Sequence, residues 1–416
     1  MNAFELRDGS LCIEGVPAEE IARAHGTPCY VYSRAALVDA VRRFQSALDG
    51  RESLICYAVK ANSNLSLLAL FAELGSGFDI VSGGELGRVI AAGGDPGRVV
   101  FSGVGKSERE MRDALAAGIL CFNVESADEL ERLDAVAASA GRRAPVALRV
   151  NPDVDPKTHP YISTGLRSNK FGVAYDEALP LYRRALAMPN LRICGVACHI
   201  GSQLLDPSPA AEAAGKILDL VEALRHEGIS LDHVDLGGGF GIRYRDEEPP
   251  SFAEYLAPLL DLFAGRRERL LFEPGRALVG NAGILLTRVE YLKHGQEKNF
   301  AIVDAAMNDL MRPALYDAWH DIVAVRPRQG PPQTTYEVVG PVCESGDFLG
   351  HGRSLALAEA DLLAVMSAGA YGMAMSSNYN TRPRPEEILV DGDRAISIRR
   401  RERVEDLFAA EQPVRR

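Results

Sequence analysis

The sequence predicts an α/β protein: a (β/α)8 barrel followed by a mainly β domain, Greek-key or sandwich-like, that also takes in the N-terminal strand. Three observations predict it. Between about residues 54 and 273, eight short β-branched or aromatic runs alternate with helical stretches rich in Ala, Leu, Glu and Arg. Polar residues stand at the carboxyl ends of those runs. After Glu273 the texture changes to alternating strand-like segments punctuated by Pro and Gly.

The runs are Leu54 to Val59, Gly77 to Val81, Arg98 to Ser102, Ile119 to Val124, Pro145 to Val150, Arg192 to Ile200, Asp232 to Leu236 and Arg269 to Glu273. Eight βα units in this span fill a closed barrel, whereas an open doubly wound sheet usually has fewer strands. Lys60, Asp79, Ser102, Asn123, Asn151, His199, Gly237 to Gly239 and Glu273 lie at or just past the run ends, where such barrels assemble active sites. The second domain is read from Ile284 to Leu292, Phe300 to Asp304, Thr335 to Val339, Leu362 to Met366 and Ile388 to Val390. Phe4 to Ile13 also reads as strand and is expected to join that domain. The expected boundaries are residues 26–277 for the barrel, with 1–25 and 278–416 forming the β domain.

Composition narrows the function. The 416 residues carry 46 Lys and Arg against 57 Asp and Glu, a net charge of −11, which disfavours nucleic acid as a partner. No apolar stretch is long enough to span a bilayer, and the first residues lack the apolar core of a signal peptide, so no membrane partner is expected. Seven cysteines are scattered without a CxxC pair or a His pair at zinc spacing. That usage fits reduced thiols in a cytoplasm, and no metal is expected.

Single motifs carry chemistry but have plain alternatives. Lys60 ends the apolar run CYAVK; desolvation can turn such an amine into a nucleophile for an aldehyde, and a lysine reaching to solvent fits equally. The DLGGGFG run (235 to 241) lets backbone N–H groups approach an anion after the seventh strand, and does not match the dinucleotide pattern. GVGKS (103 to 107) resembles the end of a phosphate loop, but the first glycine it needs falls on Val100, which excludes ATP binding there. His199 and Ser202 close the sixth run, where an imidazole can stack on a flat ring and a hydroxyl can reach a phosphate. Glu273 can hold a pyridine nitrogen protonated, and Arg276 offers a fork for a carboxylate; an internal Glu–Arg pair is the alternative. CESGD (343 to 347) joins a thiol and two carboxylates on a turn, short of a metal ligand set.

Together these residues resemble the alanine-racemase-like barrel family of pyridoxal-phosphate enzymes, and within it the diaminopimelate decarboxylases. The pieces run in order over nearly the whole chain: YAVKAN (57 to 62), GFDIVSGGEL (77 to 86), FSGVGK (101 to 106), FNVES (122 to 126), LRVNPDVDPKTHPYISTGLRSNKFG (148 to 172), CHIGSQ (198 to 203), DLGGGFG, EPGR (273 to 276), MNDLMRPALY (307 to 316), CESGD and AYGMAMSSNYN (370 to 380). The HPYISTGL and MNDLMRPALY segments and the CESGD turn are the most specific. Leu204 to Ala211, rich in Pro and Ala, departs from the family pattern.

The resemblance implies pyridoxal 5'-phosphate as cofactor and the conversion of meso-2,6-diaminopimelate to L-lysine and CO2, the last step of lysine biosynthesis. Residue by residue it implies that Lys60 condenses with the cofactor's aldehyde, His199 stacks on the ring and Glu273 faces its nitrogen, with Asp79 also at the cofactor. Ser202, Gly238, Gly239, Gly275 and Tyr371 would hold the phosphate. Arg276, Arg312 and Tyr316 would grip the distal carboxylate, with Tyr371 also at the substrate, and Glu344 the distal ammonium. Cys343 and Glu344 would come from the second subunit of a homodimer with shared active sites, Cys343 close to the reacting carbon. Residues 153–172 are expected to act as a lid. The rival readings are a decarboxylase of ornithine, arginine or a polyamine precursor, and a non-catalytic cofactor-binding homologue. Two distal arginines repel a purely cationic substrate, and a non-catalytic chain has no need of Lys60, Cys343 and Glu344 together.

Overall fold

A computed structural model describes residues 3–155, 170–330 and 332–414. The chain divides into two compact units, one of residues 41–242 and 248–277, the other of 1–40, 243–247 and 278–416.

The first unit is the barrel. Its strands are Ser53–Ala58, Gly77–Ile80, Val99–Phe101, Cys121–Val124, Ala144–Asn151, Leu191–Ala197, His233–Asp235 and Arg269–Phe272, each within a few residues of its expected run. They pair in parallel in chain order, and Arg269–Phe272 closes the ring on Ser53–Ala58. Side chains from alternate positions fill the lumen: Leu54, Cys56, Val100, Cys121, Ala147, Cys194 and Leu271 form one buried cluster. The helices between strands begin where the sequence offers caps. Asn64, Ser82, Ser107, Ser126 and Ser251 each accept a hydrogen bond from a first-turn backbone N–H. Ser107 and Ser251 do so within capping boxes completed by Glu110 and Glu254. The divergent stretch at 204–211 opens the helix Ser208–His226, and Leu204 bridges to Phe240.

The second unit is a nine-stranded sheet. Its spine is Gly283–His294, whose first half pairs with Cys29–Ser33 and Leu362–Val365 and whose second half pairs with Asn299–Val303. A register shift between Val289 and Tyr291 lets one strand serve both ladders. The expected barrel start at residue 26 differs from this division. Cys29–Ser33 is fully buried and lies between Gly283–His294 and Glu386–Asp391, so it is a central strand of the β unit. Phe348–Leu355 and Arg394–Arg399 are further strands that the sequence reading did not single out. The N-terminal residues form their own three-stranded sheet, Phe4–Arg7, Ser10–Ile13 and Val16–Pro17. That sheet packs on the unit's core through Leu11, Ile13 and Val16 against Val31, Ile284, Leu286 and Ile388, and Leu11 N–H donates to the Val325 carbonyl at 2.7 Å.

Candidate functional site at the barrel mouth

The carboxyl ends of the barrel strands bring Lys60, Asp79, His199, Ser202, the glycine loop, Glu273, Gly275 and Arg276 into one unit. Lys60 sits in the single 3-10 turn that follows the first strand, and its Nζ lies 2.6 Å from Asp79 Oδ2 at the end of the second. Asp79 is fully buried, while the lysine side chain is 39% exposed, so the amine is held at the rim with one face open to solvent.

Behind this pair lies a carboxyl cluster. Asp235 accepts from Gly237 N–H at 2.9 Å and from Asn123 Nδ2 at 3.4 Å, and it hydrogen-bonds Glu273. Burial lifts Asp235 to about 6, helped by the nearby Asp79 charge. Burial also pushes Glu273 well above the ordinary carboxyl range, and Asp235 and Asp79 push it further the same way. Two buried carboxyls in hydrogen-bond contact share a proton better than they hold two charges. Glu273 Oε1 is buried with no hydrogen-bond partner.

His199 Nδ1 accepts from Gly238 N–H at 3.2 Å, which leaves the ring proton on Nε2. Burial, with the charges of Arg149 and Lys60, holds the imidazole well below its usual range, so it is neutral at physiological pH. The glycine loop has no room for side chains. A Cβ at Gly238 would stand 2.1 Å from the Glu273 carbonyl oxygen, and Gly239, at φ +96°, would place one 2.5 Å from the Gly201 oxygen. A Cβ at Gly275 would stand 3.0 Å from the Cβ atoms of Ala58 and Ala61. Arg276 Nη2 donates to Ser202 Oγ at 2.9 Å, tying the eighth strand's end to the sixth's.

A pyridoxal phosphate fits these residues. An unpaired buried carboxyl oxygen suits a ring N–H, a neutral imidazole suits a flat face, and a bare backbone loop suits a phosphate.

The remaining expected site residues belong to the β unit. Arg312 is buried; its Nη1 donates to His320 Nε2 at 2.7 Å, and its guanidinium lies 4.6 Å from the Tyr244 ring centre. His320 Nδ1 donates in turn to the Met366 carbonyl at 2.9 Å. Tyr316 closes the same short helix, Arg312–Tyr316. Cys343 and Glu344 are exposed on their turn, which Asp347 fixes by accepting from Met307 and Val342 N–H groups at 2.6 and 2.8 Å. Tyr371 adopts a left-handed backbone at φ +57°, next to a glycine whose Cβ would collide with Tyr30.

Asp235 was passed over in the sequence as part of a glycine loop, although its place two residues before the glycines, at a strand end, is the signal that marks it. Lys106 of the GVGK run is buried, with its Nζ 2.7 Å from Glu129 Oε1, so it serves the barrel wall. The greater part of the expected lid lies outside the described residues.

The family model described as pyridoxal-dependent decarboxylase, pyridoxal binding domain, matches residues 34–280. The chain is 60% identical over 412 residues to the diaminopimelate decarboxylase of Pseudomonas fluorescens, covering 99% of both chains. It is similar to the structure of diaminopimelate decarboxylase from Helicobacter pylori complexed with L-lysine, at 45% identity and TM-score 0.91, over 94% of this chain and 98% of that one. The enzyme of M. jannaschii in co-complex with L-lysine superposes at TM-score 0.95 with 38% identity, over 99% of this chain and 98% of that one. On the strength of these matches and of the barrel mouth that accompanies them, the chain belongs to the diaminopimelate decarboxylase family of pyridoxal-dependent decarboxylases.

Proposed function

We propose that this chain, loaded with pyridoxal 5'-phosphate, decarboxylates meso-2,6-diaminopimelate to L-lysine and CO2. The observation that carries the reading is the convergence of the Lys60–Asp79 pair with a buried Glu273 oxygen that has no partner. Bound pyridoxal phosphate supplies an electron sink for the pair released when the bond from Cα to the carboxylate breaks.

The chain's own residues do the rest. Lys60 offers the amine for the cofactor's aldehyde, and Asp79 holds that amine at the rim. Glu273, hydrogen-bonded to Asp235 behind it, would hold the proton at the ring nitrogen through its unpaired Oε1. Neutral His199 covers the ring face without adding charge. Gly238, Gly239, Gly275, Ser202 and Tyr371 take the phosphate. Arg276, Arg312 and Tyr316 take the distal carboxylate, and Glu344 the distal ammonium. Cys343 or Lys60 returns a proton to the reacting carbon. Cys343 and Glu344 are assigned to the second subunit of a homodimer, which is what an exposed thiol and carboxylate on a rigid turn suit. His320 holds the Arg312 fork in one orientation, so the selection of a second carboxylate rests on a preset guanidinium.

The protein is assigned to the cytoplasm. Six of its seven cysteines are buried and unpaired in disulfides, and no helix among the described residues is long and apolar enough to cross a membrane. Glu344→Gln tests the assignment of the distal clamp. Diaminopimelate turnover should fall while the cofactor's visible absorption stays, and loss of the cofactor instead would overturn that role. Dilution below the dimer range should abolish turnover; an active monomer would refute the shared site.

A further inference from the structure

A second cluster of reactive side chains lies inside the same barrel, in the layer nearer the amino ends of the strands, and the decarboxylation chemistry has no use for it. Cys121 on the fourth strand and Cys194 on the sixth face the lumen with their Sγ atoms 3.3 Å apart. His233, on the seventh strand, completes a trio whose ligand atoms all lie within 4.8 Å of one another, the one such group of three or more among the described residues. All three residues are buried, His233 at 4% exposure.

Each thiol has a backbone acceptor: Cys121 Sγ lies 3.4 Å from the Phe122 oxygen and Cys194 Sγ 3.3 Å from that of Val146. The imidazole has none at Nε2, which is buried without a hydrogen-bond partner. A buried polar nitrogen left unpaired is costly, and here the surroundings are shaped to receive it. Gly195, next to one thiol, is the residue against which the ring packs; a Cβ there would stand 2.3 Å from Nε2.

We propose that Cys121, Cys194 and His233 form a binding site for a thiolate-seeking d10 cation of the zinc or copper(I) class. Zinc bonds to sulfur at about 2.3 Å and to imidazole nitrogen at about 2.0 Å, so ligand atoms in a zinc site stand between roughly 3 and 4 Å apart. The trio needs only small side-chain rotations to reach that spacing. Burial holds His233 down to about 4, so its ring is a neutral ligand at neutral pH. Burial also raises the Cys121 thiol, so the cation must displace protons. Two S–metal bonds and one N–metal bond form, both thiol protons leave to solvent, and no electron changes hands. Zinc with two thiolates is neutral, which a buried site accepts. Copper(I) leaves one negative charge, which Arg192 and Arg269 favour and Asp232 and Asp235 oppose, so zinc suits the charge balance better. A cleft of about 340 Å³ at this end of the barrel, lined by Ile119, Arg143, Pro145 and Arg192, gives solvent a way toward the strand starts that carry both thiols.

The test uses the cofactor-loaded protein under a thiol-free reductant, with Cd2+ alone as the probe. One Cd2+ per chain should bind, with sulfur-to-cadmium charge-transfer absorption in the ultraviolet and release of two protons. Cys121→Ala and Cys194→Ala should each lose the absorption, and His233→Gln should weaken binding by roughly tenfold or more. Cys56→Ala, which alters the same lumen layer outside the trio, and Cys343→Ser should both keep it. Zn2+ and Cu+ competing against bound Cd2+ then identify the preferred cation. Circular dichroism and the cofactor's visible absorption report folding in every variant. Should a cysteine variant fail to fold, His233→Gln carries the test, because it retains both thiols. Absence of the charge-transfer band in folded wild type, its survival without both thiols, or a Cys121–Cys194 disulfide found by mass spectrometry would overturn the proposal.

Discussion

The two ends of one barrel lumen hold opposite chemistry. Cys121 and Asn123 share a strand, as do His233 and Asp235, and Leu271 lies two residues before Glu273. In each case the side chain nearer the amino end is apolar, soft or neutral, and the one two residues on is polar or charged. Two residues along a strand is about 7 Å, so a thiol and imidazole layer lies directly beneath a carboxyl and amine layer. The strand period of two explains how: every second residue faces the lumen, and each turn of that alternation fills a separate storey. The mouth concentrates unfavourable charge above a storey packed with buried side chains.

The largest effect is expected at the mouth. Lys60→Ala should reduce turnover on the order of 10⁴-fold or more and remove the visible absorption of bound cofactor, read by single-turnover CO2 release and spectroscopy. Substantial activity in that variant would sink the role given to the mouth. Glu273→Gln should cost about 10²-fold in kcat while the cofactor remains bound, since the amide cannot share a proton with the ring nitrogen.

Asp235→Asn reaches the mouth indirectly, because Asp235 acts through Glu273. We expect roughly a tenfold loss in kcat with little change in KM, and a distinctive pH signature in the cofactor-free protein. A carboxyl whose folded value is raised stabilises the fold below its ordinary 3.8, and that stability is lost as pH rises through about 6. Between pH 4 and 7 the wild type should therefore lose about 2 kcal/mol relative to the variant, a difference read by denaturant unfolding at each pH. An unchanged difference across that range would show that Asp235 is not a raised, buried acid.

The smallest effect is expected one storey down. Cys121→Ala in metal-free protein should lower unfolding stability by about 1 kcal/mol and leave kcat within about twofold of wild type. A loss of turnover comparable to that of Asp235→Asn would mean the two storeys are not separable.

Much of the barrel was legible because its signals are local. A run such as LICYA or the glycines of DLGGGFG announce themselves over a few residues, and the strand ends put Lys60, Asp79, His199 and Glu273 in view. What escaped depends on contacts far apart in sequence. Cys29–Ser33 reads as any apolar run; only its partners at 283–294 and 386–391 make it part of the β unit. The thiol and imidazole trio spans 73 residues from Cys121 to Cys194 and 39 more to His233, so no spacing rule finds it; the curvature of the barrel does. Asp235 was in view, but its role depends on the proton it shares with Glu273, which a sequence does not display.

The decisive measurement is CO2 release from purified, cofactor-loaded protein, measured separately with meso-diaminopimelate, L-lysine, L-ornithine and L-arginine. Release from diaminopimelate alone, with L-lysine appearing in equal amount, is the predicted result. Release from ornithine or arginine, or from none of the four, would contradict it.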